Sequence, residues 1–164
     1  MCFFKTVADL GLRPGDQVDL AVTLDVNTYR EIENLTVIIK DIKPSKIDQN
    51  AYFKDQHLYE NIRRDEFDRV DESVLPTRDQ VAEVYRFLKI HRKIDMNYEI
   101  LLLRLGGLPF IKLLLALDMM SELGLIDYQY SMSRCVAQIC QVSGKVDLEQ
   151  SAVVRRIREQ CKRG

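Results

Sequence analysis

Residues 18–27 read VDLAVTLDVN, a stretch in which branched apolar residues alternate with small or polar ones. A period of two is typical of a β-strand with one buried face. A second β-rich run, LTVIIKDI, follows at residues 35–42, after a polar turn at residues 27–31. The pattern therefore predicts an antiparallel hairpin built from these two runs.

The predicted hairpin needs a covering layer, because an isolated hairpin is only marginally stable in water. Residues 1–7 offer enough chain for one more short strand upstream. We therefore expect the chain to be the C-terminal part of a larger molecule. We also expect the hairpin either to pack on the helix that follows it or to pair with another copy through its open edge.

The composition is that of a soluble globular protein with one or two small domains. The 164 residues are 46% hydrophobic and 30% charged, with a net charge of −1. A nearly neutral chain has no general attraction to DNA or to acidic membranes. The N-terminus lacks a secretory signal pattern, which predicts a cytoplasmic protein.

Helical patterns follow the hairpin. A connector helix is predicted at about residues 52–64, followed by a polar linker over residues 65–76. Thr77 is a suitable N-cap for the next helix, which has the clearest amphipathic spacing in the chain. The apolar stripe of the connector is predicted to be Phe53, Leu58, Tyr59 and Ile62, and that of the next helix Val81, Val84, Tyr85 and Leu88.

The C-terminal half reads as two more helices, a β-hairpin and a last helix. The helices are predicted at about residues 97–105 and 109–124, separated by the glycine pair at 106–107. An antiparallel strand pair is predicted at 125–130 and 135–142, and a last helix at about 148–161. Three helices followed by a hairpin is the element order of a winged helix-turn-helix.

Ordered segments of the chain resemble the RecJ family of single-strand-specific DNA exonucleases. The segments GLRPGDQVDL (11–20), LDVNTYR (24–30) and IIKDIKP (38–44) are similar to the end of the RecJ OB-fold domain. The segments DQHLYENIRR (55–64), LPTRD (75–79), ALDMMSELGLI (116–126) and GKVDLEQS (144–151) resemble the extra C-terminal domain of RecJ proteins from Firmicutes-type bacteria.

This resemblance implies an α+β chain in three parts. They are a partial OB-fold hairpin at 1–45, a helical connector and linker at 46–76, and a winged-helix-like domain with a C-terminal helix at 77–164. Glu31 stands where the family usually has glycine after an aromatic residue and an arginine. Since glycine adopts positive φ cheaply and glutamate does not, we expect a longer or differently shaped turn here.

No catalytic or metal-binding set is evident. RecJ chemistry depends on Asp and His clusters that hold Mg²⁺ or Mn²⁺, and the resemblance places those clusters upstream of this chain. His57 and His91 are far apart and are predicted to be surface or structural residues. The cysteines form no CxxC and lack a His partner at ligand spacing, so zinc is not expected either. We therefore expect no cofactor in this chain and no nuclease activity from it alone.

Residues 110–123 form a helix that is hydrophobic almost all round, with Lys112 set against Asp118 and Glu122. In DNA-binding winged helices the equivalent helix presents polar and basic side chains to the major groove. We therefore expect this helix to be buried rather than to read DNA.

Two sets of residues are candidates for binding. Basic and aromatic residues of the hairpin could follow single-stranded DNA, or could simply be exposed strand residues. Basic residues of the next helices could bind an acidic partner, or could form a solvated charged face. The resemblance implies one such partner, the acidic C-terminal tail of single-stranded-DNA-binding protein. The candidate DNA-binding residues are Tyr29, Arg30, Lys40 and Lys43, and the candidate partner-binding residues are Arg86, Lys89, Lys93 and Lys112, with Arg155, Arg156 and Arg158 as a second basic cluster.

The function expected from these observations is that of a non-catalytic region of a RecJ-like 5′–3′ exonuclease in DNA repair and recombination. It would recruit or position the nuclease on single-stranded DNA and contact the upstream RecJ catalytic domains. The alternative is a free-standing adaptor or regulatory protein that uses the winged helix for protein contacts, including homodimerisation.

Overall fold

The computed structural model describes residues 11–29, 32–67, 70–142, 144 and 146–162. The chain divides into two compact units, residues 1–47 and residues 48–164. In the described part, secondary structure is mixed α+β, with five α-helices and two antiparallel sheets of two and three strands.

The first unit contains the predicted hairpin. Strand β1 spans Val18–Tyr29 and strand β2 spans Ile32–Pro44, and they pair from Val18 opposite Pro44 to Tyr29 opposite Ile32. The register shifts beside Ala21 and Val22, where β2 carries one extra residue, Lys40. Such a bulge bends the strand and increases its twist.

The predicted bounds of the turn, residues 27–31, are wrong, because strand pairing continues through Asn27 and Thr28 to Tyr29, which lies opposite Ile32. The sequence pattern placed the end of β1 too early. The alternation of apolar and polar residues stops at Val26, whereas backbone pairing continues beyond it. The expected longer or differently shaped turn concerns residues 30 and 31. Residues 30 and 31 themselves lie outside the described part.

The second unit comprises five helices and three strands. The hairpin of the first unit is followed by helix α1, Gln49–Arg64, and a short 3₁₀ turn, Glu72–Val74. The remaining elements are α2 (Arg78–His91), β3 (Lys93–Asn97), α3 (Tyr98–Arg104), α4 (Phe110–Glu122), β4 (Ile126–Gln129), β5 (Arg134–Ile139) and α5 (Ala152–Lys162). The strands form one antiparallel sheet in the order β3-β5-β4.

The predicted helices and the C-terminal strand pair are present, with boundaries that differ by a few residues. Three local features were not predicted. Strand β3 pairs with β5 along its whole length, residues 72–74 form a 3₁₀ turn within the predicted linker, and residues 148–150 form another ahead of α5. At the start of α2, Thr77 makes the predicted N-cap as part of a capping box with Gln80.

Helix α4 is the centre of the core, as its composition predicted. Nine of its residues are buried, and α1, α2, α5 and β4 pack around it. Tyr52 of α1 stacks on Phe110 with ring centroids 4.1 Å apart. The prediction that Phe53 faces the core is wrong, because that side chain is 59% exposed while the neighbouring Tyr52 is 8% exposed.

Candidate functional site

Helix α2 ends in a run of cations. Between residues 86 and 93 the chain carries four basic residues and no acidic one. All four are exposed, and none of the ion pairs found in the described part of the chain involves them. They are Arg86, Lys89, Arg92 and Lys93. This end of α2 therefore carries uncompensated positive charge.

Lys89 lines a shallow pocket of about 530 Å³ whose walls are partly polar and partly apolar. We call it the α2–β5 pocket. Its lining residues are Tyr85, Lys89, Ile139, Cys140, Gln141 and Val142. Ile90, the residue after Lys89, is 79% exposed. A cation beside apolar surface is the combination expected for an acidic partner with an apolar anchor.

The pocket differs from the predicted partner site in one respect. The candidate partner-binding residues include Lys112 of the helix at 110–123, but the pocket residues other than Tyr85 and Lys89 come from β5 and the segment after it. Lys112 lies half-buried on α4 and does not line the pocket. The periodicity of α2 could not predict that the ends of α2 and β5 lie side by side. This contact depends on the position of the sheet relative to the helix.

The backbone of Arg92 holds the two walls of the α2–β5 pocket together. Its φ of 60° and ψ of −48° are unusual for a residue with a Cβ atom. The Arg92 N–H donates to the Leu88 carbonyl at 2.7 Å, and the Arg92 carbonyl accepts from the Ile139 N–H at 2.8 Å. The strained residue therefore ties the end of α2 to the end of β5.

A second groove, of about 360 Å³, lies between α1 and the β4–β5 connection. The Arg63 guanidinium sits 4.8 Å from the centre of the Tyr130 ring, and the Tyr130 hydroxyl donates to Glu60 at 3.1 Å. Arg64 and the exposed Met132 complete the lining. The sequence did not predict this groove, because no pattern in the connector helix indicates that α1 packs beside the β4–β5 connection.

The fully buried Tyr59, which contacts Arg63 and Tyr130 of this groove, is hydrogen-bonded to the half-buried Asp118. The Tyr59 hydroxyl donates to Asp118 at 2.7 Å. Burial raises the pKa of the Asp118 carboxyl above its ordinary value, while the Tyr59 hydrogen bond and the nearby Arg63 oppose that rise. Burial also raises the pKa of the Tyr59 hydroxyl. The pair joins α1 to α4 and has a structural role.

The structure does not bring the candidate DNA-binding residues of the hairpin together in one site. Lys40 is exposed at the bulge, and Lys43 is half-buried opposite Asp19. The Tyr29 side chain and Arg30 lie outside the described residues. In this unit the structure therefore places only two of the four candidates, at separate positions on β2.

The second basic cluster is partly neutralised. Arg158 forms ion pairs with Glu72 and Glu149, and Arg155 donates to the carbonyl of Gln150. Arg156 is half-buried. The cations at the end of α2 are therefore the better candidates for an acidic partner.

Both histidines are exposed, as predicted, and each contacts its own helix. His57 is hydrogen-bonded to Asn61, and His91 donates to the Phe87 carbonyl at 2.8 Å. Within the described ranges, no group of three or more His, Cys, Asp or Glu side chains could hold a metal ion. No helix of that part is both long and apolar enough to cross a membrane.

No protein-family model matches the chain, and neither a curated protein nor a solved structure is significantly similar to it.

Proposed function

We propose that this chain is the non-catalytic C-terminal region of a RecJ-like single-stranded-DNA-specific 5′–3′ exonuclease, and that it recruits or positions the nuclease on single-stranded DNA. The ordered sequence resemblance supports the family. The observation that carries the recruiting role is the position of Lys89, a cation without an ion pair in the described part, which lines the α2–β5 pocket together with the apolar side chains of Ile139 and Val142.

The topology of the second unit supports a winged-helix-like domain. Helix α2, strand β3, helices α3 and α4, and strands β4 and β5 follow one another, and β5 lies between β3 and β4. In DNA-binding members of this architecture, the helix equivalent to α4 enters the major groove. Here α4 is buried, which favours protein contacts over sequence-specific reading of DNA. The β1–β2 hairpin would be the remnant of the OB fold.

The partner that fits the α2–β5 pocket is an acidic peptide that ends in an apolar residue, such as the tail of single-stranded-DNA-binding protein. Each exposed ion pair is worth only about 0.2–1 kcal/mol. An apolar side chain buried in the pocket adds about 1.5–3 kcal/mol. The expected affinity is therefore weak, with a dissociation constant on the order of 0.1–1 mM.

The test is a titration of the full chain with a labelled acidic peptide that ends in phenylalanine. Affinity should fall with added salt and should be lost when the terminal phenylalanine is replaced by alanine. A triple variant, Arg86→Glu, Lys89→Glu and Lys93→Glu, should lose binding. A matched double variant, Arg63→Glu and Arg64→Glu, reverses charge at the other groove and should bind as the wild type does. Unchanged affinity in a folded triple variant would rule out the α2–β5 pocket.

The alternative function is that of a free-standing adaptor or regulatory protein, and the exposed Ile90 favours protein contacts of this kind. The two functions differ in what the chain binds. A RecJ-like region should bind single-stranded DNA, the acidic peptide or separately purified RecJ catalytic domains, and it should not cleave DNA with Mg²⁺ or Mn²⁺. An adaptor should bind none of these three.

A further inference from the structure

One face of the β1–β2 hairpin consists of aliphatic side chains. Cross-strand partners on this face are Leu20 with Ile42, Val22 with Ile39, Leu24 with Val37, and Val26 with Leu35. We call these eight residues the apolar hairpin face. Apart from the half-buried Ile42, they are 43–65% exposed. The opposite face carries polar residues such as Asp19, Thr23 and Asp25.

We propose that two copies of this chain pair through the apolar hairpin face, each covering the other. A half-exposed Val, Leu or Ile leaves on the order of 80 Å² in water. One face therefore offers on the order of 600 Å², and two faces together on the order of 1,200 Å². That total reaches the lower end of the range for stable, specific interfaces.

The chemistry of the face suits a second copy. None of its eight residues is charged, so two copies can meet without burying an ion. Both surfaces are ribbons of alternating branched side chains, which can interdigitate as packed sheets do at a spacing of about 10 Å. The bulge at Lys40 adds twist, which lets two ribbons cross at the small angle usual for such packing. Under the function proposed above, the other strands of an OB fold would compete for this face, so the contact is tested on the present chain by itself.

The first experiment is sedimentation of the full chain under reducing conditions, so that disulfides between copies cannot form. The wild type should change from monomer to dimer across the micromolar range. Leu24→Lys places a charge in the centre of the face and should raise the dimer dissociation constant by at least about 30-fold. Thr23→Lys adds the same side chain on the opposite face of the same strand and should change that constant by less than about threefold.

The second experiment needs no substitution, so a variant that fails to fold cannot obscure the result. Hydrogen exchange of the wild type is followed at low and high protein concentration. Amides of β1 and β2 should gain protection as concentration rises, while amides of α4 should not change. A chain that stays monomeric at the highest concentration would overturn the proposal. Equal sensitivity of the dimer to Leu24→Lys and Thr23→Lys would also overturn it.

Discussion

At the scale of single residues, the hydrogen-bonded pair of Tyr59 and Asp118 makes the stability of the fold depend on pH. Burial raises the pKa of Asp118, and Glu122 adds to that rise, while Tyr59, Arg63 and Arg156 oppose it. The folded chain therefore binds this proton more tightly than the unfolded chain. Its contribution to stability is fully present below the unfolded pKa and is lost as pH rises through the folded pKa.

The first prediction concerns Asp118→Asn, which removes the titrating group but keeps an acceptor for the Tyr59 hydroxyl. The free energy of unfolding of this variant, relative to the wild type, should increase as pH rises from the ordinary aspartate pKa through the raised pKa of the folded chain. Urea denaturation at several pH values measures that difference. A difference that does not depend on pH would contradict the assignment.

Tyr59→Phe is the matched control, because it removes the donor and leaves the carboxyl in place. Loss of this hydrogen bond should cost about 1–3 kcal/mol of unfolding free energy. The cost should grow with pH, since the ionised carboxylate needs the donor more than the protonated form does. The two variants should therefore change the pH profile in opposite directions.

At the scale of elements, helix α4 depends on a cap from another helix. Pro109 precedes α4 and makes no side-chain cap hydrogen bond. The Ile111 N–H instead donates to Asp55 of α1 at 3.1 Å. Helix N-termini favour such acceptors because their first N–H groups have no partner within the helix. One carboxylate therefore both caps α4 and fixes α1 against it.

The second prediction follows from this cap. Asp55→Ala should lower the free energy of unfolding by about 0.5–2 kcal/mol. Asp55→Asn should lower it by less, because the amide oxygen can still accept the hydrogen bond from the Ile111 N–H. Thermal or urea denaturation of the two variants gives the comparison. If Asp55→Ala is as stable as the wild type, the hydrogen bond contributes nothing to holding α4.

Elements that carry a local pattern could be predicted, and those that depend on distant partners could not. Alternation identified the hairpin, and the capping residue Thr77 located the start of α2. Strand β3 was missed because its five residues, KIDMN, are too few to show a period. The cap from Asp55 could not be predicted, because the Asp55 carboxylate and the Ile111 N–H that donates to it lie 56 residues apart in the sequence.

The candidate site, too, could be predicted only where it depends on a local sequence pattern. Its cations stand close together in the sequence, and the amphipathic spacing of α2 placed them on a helix. Its other lining residues are residues 139–142, about 50 positions away, which the β3–β5 pairing and the hydrogen bond from Ile139 to Arg92 bring to the end of α2. The groove at Arg63 and Tyr130 likewise needs α1 to pack beside the β4–β5 connection. No spacing rule within one element can supply such contacts.

At the scale of the whole molecule, the two units differ in how they bury apolar surface. Apart from Pro44, the buried aliphatic and aromatic side chains of the described part belong to residues 48–164. The hairpin unit instead exposes its aliphatic residues on one face. The second unit therefore has a core of its own, while the first needs a covering partner.

The last prediction is that residues 48–164 fold without residues 1–47. A variant lacking the first 47 residues should unfold at the same urea concentration as the full chain, because no buried residue of its core is removed. Six of the seven tyrosines lie in residues 48–164, so their near-ultraviolet circular dichroism reports on that unit almost alone. Far-ultraviolet circular dichroism of the full chain should show an additional strand signal that the shorter variant lacks. A clear drop in the unfolding midpoint of the shorter variant would mean that the hairpin unit stabilises the helical core.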